Sequence, residues 1–333
     1  MAPIREYLKL CRVEYSGFAY MAVLGALSVG GGNLRLDLVL WVAAVNVLTL
    51  MWTFAHNDYC DLAVDRQRVE LDERVLVKGT VRPGEALWLI GTGIALALML
   101  AWLATRALAP VLALLLSIAL AMAYNKMSKR LFGADVLFAA SATCLSLFGM
   151  LVAREQVGSV PPIAMVVLGI VFVEHLFFNM VEGGLKDADL DGRSGIDNLA
   201  TRFIECSAER MVVSRQFKVI AFLLKLTAIG LAFVPVAFLG EPSDPVQLLL
   251  LALCSAMALF FLYRMTSMRR YDWQRMGFAI IRQEMAARSL LPLMLLPRIG
   301  LVWVIIIMMA PLTWYLSTVY FLHGRLFALP KRF

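Results

Sequence analysis

The densest group of chemically useful side chains lies in Asn57-Asp58-Tyr59-Cys60-Asp61-Leu62-Ala63-Val64-Asp65. On a helix, residues 57, 61 and 65 are four positions apart and Asp58 precedes Asp61 by three, so the amide and three carboxylates share one face. Carboxylates stacked this way repel one another. A hard divalent cation removes that penalty, because Mg²⁺ takes oxygen ligands and commonly shares them with phosphates. Asp58, Asp61 and Asp65 are therefore candidate metal ligands, with Asn57 beside them. A solvated acidic helix end is the bland alternative, and the strict spacing together with the Asn weighs against it.

A second cluster follows in Lys186-Asp187-Ala188-Asp189-Leu190-Asp191, where Asp187 and Asp191 are again four apart and Asp189 points away. Two such clusters resemble the halves of a clamp. A third polar element, Tyr124-Asn125-Lys126-Met127-Ser128-Lys129-Arg130, places three cations within five residues and suits a phosphate-rich ligand. Arg66 adds positive charge next to the first cluster. Asn46 falls on nearly the same helical face as Asn57, where it either lines a cavity or bonds a neighbouring helix.

The elements that position these residues are set by composition. Of 333 residues 61% are hydrophobic and only 17% charged, with a mean hydropathy of +0.78. Both fractions lie on the membrane side of what a water-soluble domain shows. Apolar runs recur from end to end and predict an all-α polytopic membrane protein of nine spans: 16–32, 37–57, 84–105, 107–124, 135–153, 161–182, 217–239, 245–263 and 299–322. Residues 58–83 and 183–218 read as caps over the mouth of a central cavity, and the whole chain as a single transmembrane domain. Residues 264–298 read as a basic amphipathic helix on the membrane surface. Glu174, His175 and Lys225 are unusual at membrane depth. Lys225 is expected to snorkel, and His56 borders the first cluster.

Of 31 Lys and Arg residues, 24 fall in the N-terminal segment and the connections 58–83, 125–134, 183–218 and 264–298. The positive-inside rule then places these segments, the N-terminus and the acidic mouth in the cytoplasm and the C-terminus outside. The net charge of +7 belongs to that face, with no basic, aromatic-interleaved stripe that would suggest nucleic acid. Five scattered cysteines form neither a disulfide framework nor a zinc pattern.

The residues carrying the acidic clusters resemble those of the UbiA superfamily of intramembrane prenyltransferases. That family has nine transmembrane helices, an N-D-x-x-D-x-x-x-D motif ending helix two and D-x-x-x-D ending helix six. Asn57, Asp58, Asp61 and Asp65 match the first; Asp187 and Asp191, preceded by Lys186 and followed by Gly195, match the second. Tyr124 and Lys129 are similar to a Tyr–Lys element after helix four. The family's N-R-P-L stretch appears here as Glu73-Arg74-Val75-Leu76, its T-L after the second motif as Asn198-Leu199, and an Asn or Gln position as Asp135.

The resemblance implies Mg²⁺-dependent transfer of an isoprenyl chain from a prenyl diphosphate to an aromatic or polyol-phosphate acceptor. Asp58, Asp61, Asp187 and Asp191 would be catalytic, and two Mg²⁺ ions would be held by these with Asp65. Asn57, Arg66, Tyr124, Lys126, Lys129, Lys186 and Asn46 are the substrate-binding candidates. Within the superfamily, phosphoribosyl transfer to a polyprenyl phosphate and terpene cyclisation are the alternatives. An ion-coupled transporter is the reading from another class, against which stands the scarcity of acidic residues on the outer side.

Overall fold

In a bilayer every backbone amide must find its partner within the protein, and a chain this apolar meets that demand as helices. A computed structural model describes residues 2–16, 20–68, 71–193, 195–207 and 210–324. After the short α1 (Ile4–Leu10) and α2 (Val13–Ser16) come α3 (Met21–Gly30), α4 (Leu36–Asp65), α5 (Pro83–Thr105), α6 (Leu108–Met127) and α7 (Asp135–Val157). Next, α8 (Pro162–Phe177) passes through a π-helical turn, Phe178–Gly183, into α9 (Gly184–Arg193). Beyond α10 (Leu199–Phe203) and an antiparallel hairpin of β1 (Ile204–Cys206) and β2 (Met211–Val213), the chain forms α11 (Arg215–Phe238), α12 (Pro245–Thr266) and α13 (Trp273–His323).

Among the described residues, eight helices are long and apolar enough to cross a membrane. Their outward faces carry bare apolar side chains such as Trp88, Phe238 and Val302, which only lipid can cover. This is an integral membrane protein. The expected first span, 16–32, is the shorter Met21–Gly30, and residues 17–19 lie outside the described residues. The expected span 37–57 continues as helix to Asp65, and 161–182 continues to Arg193. Both acidic motifs are thus helix ends and not the start of loops.

Close approach of α3 and α7 depends on two glycines. A Cβ at Gly25 would meet the Ser146 carbonyl, and one at Gly149 would meet the carbonyl of Ala22. A Cβ at Gly91 would touch nothing, and one at Gly93 would lie 3.1 Å from Trp52 Cβ. Gly149→Val should force the two helices apart, costing about 1–3 kcal/mol or more; a fall in the melting temperature of the purified protein would register it, and Gly91→Val should not produce one.

The C-terminal region differs from expectation. Residues 273–299 do not lie on the surface but form the first limb of α13, which breaks at Gly300 (φ 79°, ψ 162°). That limb starts at the aspartate end, where Tyr271 hydrogen-bonds the Lys186 carbonyl, and reaches the opposite end, where Arg298 pairs with Glu241 at 3.3 Å. The second limb runs back: Trp303 Nε1 donates to the Gly32 carbonyl, Trp314 Nε1 to that of Val13, and Arg5 Nε to that of Leu322 at 2.6 Å. Leu322 therefore lies at the same end as the N-terminal helix, which corrects the placement of the C-terminal span's end on the far side. The physical reason is that Arg282, Glu284 and Arg288 depress the local hydropathy although Arg288 and Glu284 pair with each other inside the bundle.

Candidate active site

The last two turns of α4 present Asp58, Asp61 and Asp65 on a buried face, exposed by 7%, 7% and 1%. Carboxylates this buried need counter-charges, and three cations from separate segments provide them. Arg12, between α1 and α2, reaches Asp58 at 2.6 Å. Arg74, from the segment after α4, pairs with Asp65 and stands 3.5 Å from Asp58. Lys129, past the end of α6, lies 2.9 Å from Asp61 and 3.5 Å from Asp65. Across the site, Arg68 meets Asp191 at 3.2 Å, and Asn198 Nδ2 donates to the other oxygen of that carboxylate at 2.8 Å.

The two acidic motifs converge. Lys129 is within electrostatic reach of Asp191 as well as bound to Asp61, and Tyr124 lies within reach of both Asp61 and Asp187. Beside Lys129 and Arg68 opens a cavity of about 320 Å³ whose wall includes Arg130, Arg193 and Gly195 but none of the motif aspartates. Asp187 is half-buried and has no hydrogen bond or ion pair among the described residues. Asp189 points elsewhere, to Arg193 at 2.8 Å.

Arg12 holds its position at some conformational cost. Its φ of 44° is left-handed, an uncommon state for a residue with a Cβ. Burial by itself would lower its pKa, but the Asp58 carboxylate, helped by Tyr15 and Glu14, outweighs burial and holds the guanidinium above its ordinary value.

Hydrogen bonds between helices set the registers. Asn125 Nδ2 on α6 donates to the Thr53 carbonyl and to His56 Nδ1 on α4, both at 3.0 Å, and so fixes Lys129 opposite Asp61. Tyr124 donates its hydroxyl to Asn179 Oδ1 at 2.9 Å, and Asn179 donates to Asp135 at 2.6 Å. Tyr124 thus braces the π-helical turn beneath the second motif, a type of distortion frequent at functional sites.

One expected substrate contact serves helix packing instead. Asn46 is fully buried and accepts a hydrogen bond from the Ala22 amide at 3.0 Å, so it joins α4 to α3. Arg66 and Lys126 are exposed and make no ion pair among the described residues. Lys186 contributes its carbonyl to Tyr271. Asn57 is half-buried beside the cluster. Lys225 does not snorkel: it is fully buried, 2.6 Å from Glu174 and 3.8 Å above the Phe177 ring. Arg12, Arg68 and Arg74 were missed as site residues. Only Arg74 left a trace in the sequence, as the Arg of the element resembling N-R-P-L.

The donor set fits a hard divalent ion. It is made of carboxylate oxygens on two facing helix ends, and Asp65 Oδ1 is buried without a hydrogen bond. Among the described residues, no three His, Cys, Asp or Glu side chains already enclose a point where an ion could sit. An ion here would complete its shell with oxygens from a ligand, as Mg²⁺ does at phosphate sites.

Residues 18–281 match the UbiA prenyltransferase family. The chain belongs to that family. Solved structures similar to it include a digeranylgeranylglyceryl phosphate synthase, at 15% identity and a TM-score of 0.66, with 89% of this chain and 98% of that one aligned. A UbiA homolog from Aeropyrum pernix K1 is 18% identical with a TM-score of 0.59, covering 91% of this chain and 98% of the homolog. A UbiA homolog from Archaeoglobus fulgidus bound to DMAPP and Mg²⁺ is 16% identical with a TM-score of 0.60, covering 86% and 99%. At these identities the likeness concerns the fold. Among curated protein sequences none matches significantly. As a UbiA-family chain, the protein is a prenyltransferase.

Proposed function

We propose that this prenyltransferase moves an isoprenyl chain from a prenyl diphosphate to an aromatic or phosphate-bearing polyol acceptor within the membrane. The observation that carries this reading is the meeting of Asp58, Asp61 and Asp65 with Asp187 and Asp191 around Lys129 and Arg68, next to a cavity. The binding of DMAPP and Mg²⁺ by the Archaeoglobus fulgidus homolog supports the same donor and metal here.

The carboxylates would hold two Mg²⁺ ions, Asp58, Asp61 and Asp65 on one side and Asp187 and Asp191 on the other. Bound Mg²⁺ would supply Lewis-acid stabilisation of charge developing on the departing diphosphate. Arg12, Arg74, Lys129 and Arg68, which pair with these carboxylates, would turn to phosphate oxygens once the carboxylates take up metal. This exchange would keep Asp58, Asp61, Asp65 and Asp191 paired before and after binding. As the C1–O bond to diphosphate breaks, C1 bonds to the acceptor, which gives up a proton. The surrounding helices exclude water from the allylic cation.

We place the acidic mouth and the N-terminus in the cytoplasm, because the segments at that end carry most of the cations. The return of α13 brings the end of the described chain to the same side. We also treat the chain as one transmembrane domain. Purified protein given Mg²⁺, labelled geranyl diphosphate and a panel of acceptors, with products read by mass spectrometry, tests the proposal. Prenylated acceptor and free diphosphate are expected, and EDTA should remove both. Diphosphate release that is insensitive to EDTA would refute the metal role.

A further inference from the structure

The cavity beside Lys129 and Arg68 is walled by charge of one sign. Its wall comes mainly from three segments at and beyond helix ends: Gln67 and Arg68 after α4, Lys129 and Arg130 after α6, and Arg193 and Gly195 at the close of α9. Among the described residues the wall contains Arg and Lys but no acidic side chain. Three of the cations also hold a carboxylate. Arg68 pairs with Asp191 at 3.2 Å, Lys129 with Asp61 at 2.9 Å and Asp65 at 3.5 Å, and Arg193 with Asp189 at 2.8 Å. Arg130 is exposed and makes no ion pair among the described residues.

A volume of about 320 Å³ is enough to hold a small ligand, and a cleft lined by one sign of charge concentrates the opposite sign. Guanidinium groups fork onto phosphate oxygens, so a phosphate-type oxyanion is the chemistry that fits. Two sources supply one: the diphosphate that leaves the prenyl chain, and the phosphate of a polyol acceptor. An acceptor must reach the prenyl carbon beside the metal-binding aspartates, and none of these belongs to the wall. The leaving diphosphate has to travel the other way, past the helix ends and out to water. It carries no apolar part that would be stranded there.

We propose that this cavity is a second diphosphate site, which holds the leaving group after it parts from the prenyl carbon and before it reaches water. The site presupposes the donor site described above and extends it from bond breaking to release. Arg68 and Lys129 border both sites, since each pairs with a motif aspartate and also lines the cavity. Diphosphate therefore moves from one site to the other without losing its cationic partners. Arg130 and Arg193 set the cavity apart, because Arg193 holds Asp189, which lies outside the two motifs, and Arg130 is exposed.

The test uses the full chain in phosphatidylcholine nanodiscs, with Mg²⁺ and saturating geranyl S-thiolodiphosphate, whose C–S bond resists cleavage. Titrated with radiolabelled inorganic diphosphate, the protein should bind a single equivalent without losing the analogue. Arg130→Gln and Arg193→Gln should each weaken that binding about ten-fold, the effect of one lost charge-assisted hydrogen bond, while affinity for the analogue stays within about two-fold. Arg130→Lys, which keeps the charge, should retain most of the binding; a merely structural role would show no such rescue. Absence of the second equivalent, displacement of the analogue, or binding that neither Gln variant weakens overturns the second site and leaves the donor site standing. Tighter binding of glycerol 1-phosphate than of diphosphate overturns the exit role and gives the cavity to a phosphate-bearing acceptor. If the analogue does not bind with Mg²⁺ at all, the donor-site reading falls and takes the exit role with it.

Discussion

Asp187→Asn is expected to lower kcat for diphosphate release from geranyl diphosphate by about 10³-fold, the scale of losing one preorganised charge at a reacting centre. The protein should melt at nearly the wild-type temperature, because Asp187 has no ion pair or hydrogen bond among the described residues for the substitution to break. Asp61→Asn should lower kcat comparably but also lower stability, since it removes the carboxylate that Lys129 holds at 2.9 Å. The contrast separates chemistry from folding: one variant is catalytically dead and stable, the other dead and weakened. Retention of more than about a tenth of wild-type turnover by Asp187→Asn would remove the second motif from the chemistry.

The second large effect concerns Arg74. Its guanidinium binds Asp65, which is 1% exposed, and stands 3.5 Å from Asp58. Arg74→Gln leaves a buried carboxylate short of charge, an error that costs about 3–5 kcal/mol when a buried pair is broken. Millimolar Mg²⁺ should restore much of the lost melting temperature, because an ion that binds the folded state stabilises it by mass action. Wild-type protein should respond to Mg²⁺ far less until a diphosphate is added, because its carboxylates already have partners. The KM for geranyl diphosphate should rise about ten-fold in the variant, from the loss of one charge-assisted hydrogen bond to phosphate. Thermal melts with and without Mg²⁺, alongside steady-state kinetics, measure both. A melting temperature of Arg74→Gln indifferent to Mg²⁺ would argue against the exchange of cations for metal.

The local signals were strong where chemistry repeats along one helix. The four-residue spacing of Asn57, Asp61 and Asp65, and of Asp187 and Asp191, needs only helical periodicity to define a face, and the apolar runs need only hydropathy to define spans. Those two features alone pointed to a membrane protein with paired acidic motifs, and the resemblance to the UbiA superfamily supplied the enzyme. Charge bias was a weaker guide: it put the end of the C-terminal span on the far side, whereas Arg5 donates to the Leu322 carbonyl.

What depended on distance in sequence could not be read this way. Arg12 reaches Asp58 across 46 positions and Arg68 reaches Asp191 across 123, and nothing in a basic residue's neighbours indicates which carboxylate it will meet. Asn46 sat at the right period to face the site, but the glycine-mediated approach of α3 and α7 brings the Ala22 amide to the same fold region, and α4 turns that amide side chain toward α3. Residues 273–299 carry charges that mimic a surface helix, and only packing shows Glu284 and Arg288 paired inside the bundle. Periodicity and hydropathy are properties of a segment and its solvent, so the sequence by itself determined the helices, the membrane and the two acidic faces. Counter-charges and the return of α13 at Gly300 arise from contacts between segments, and only the tertiary structure decided them.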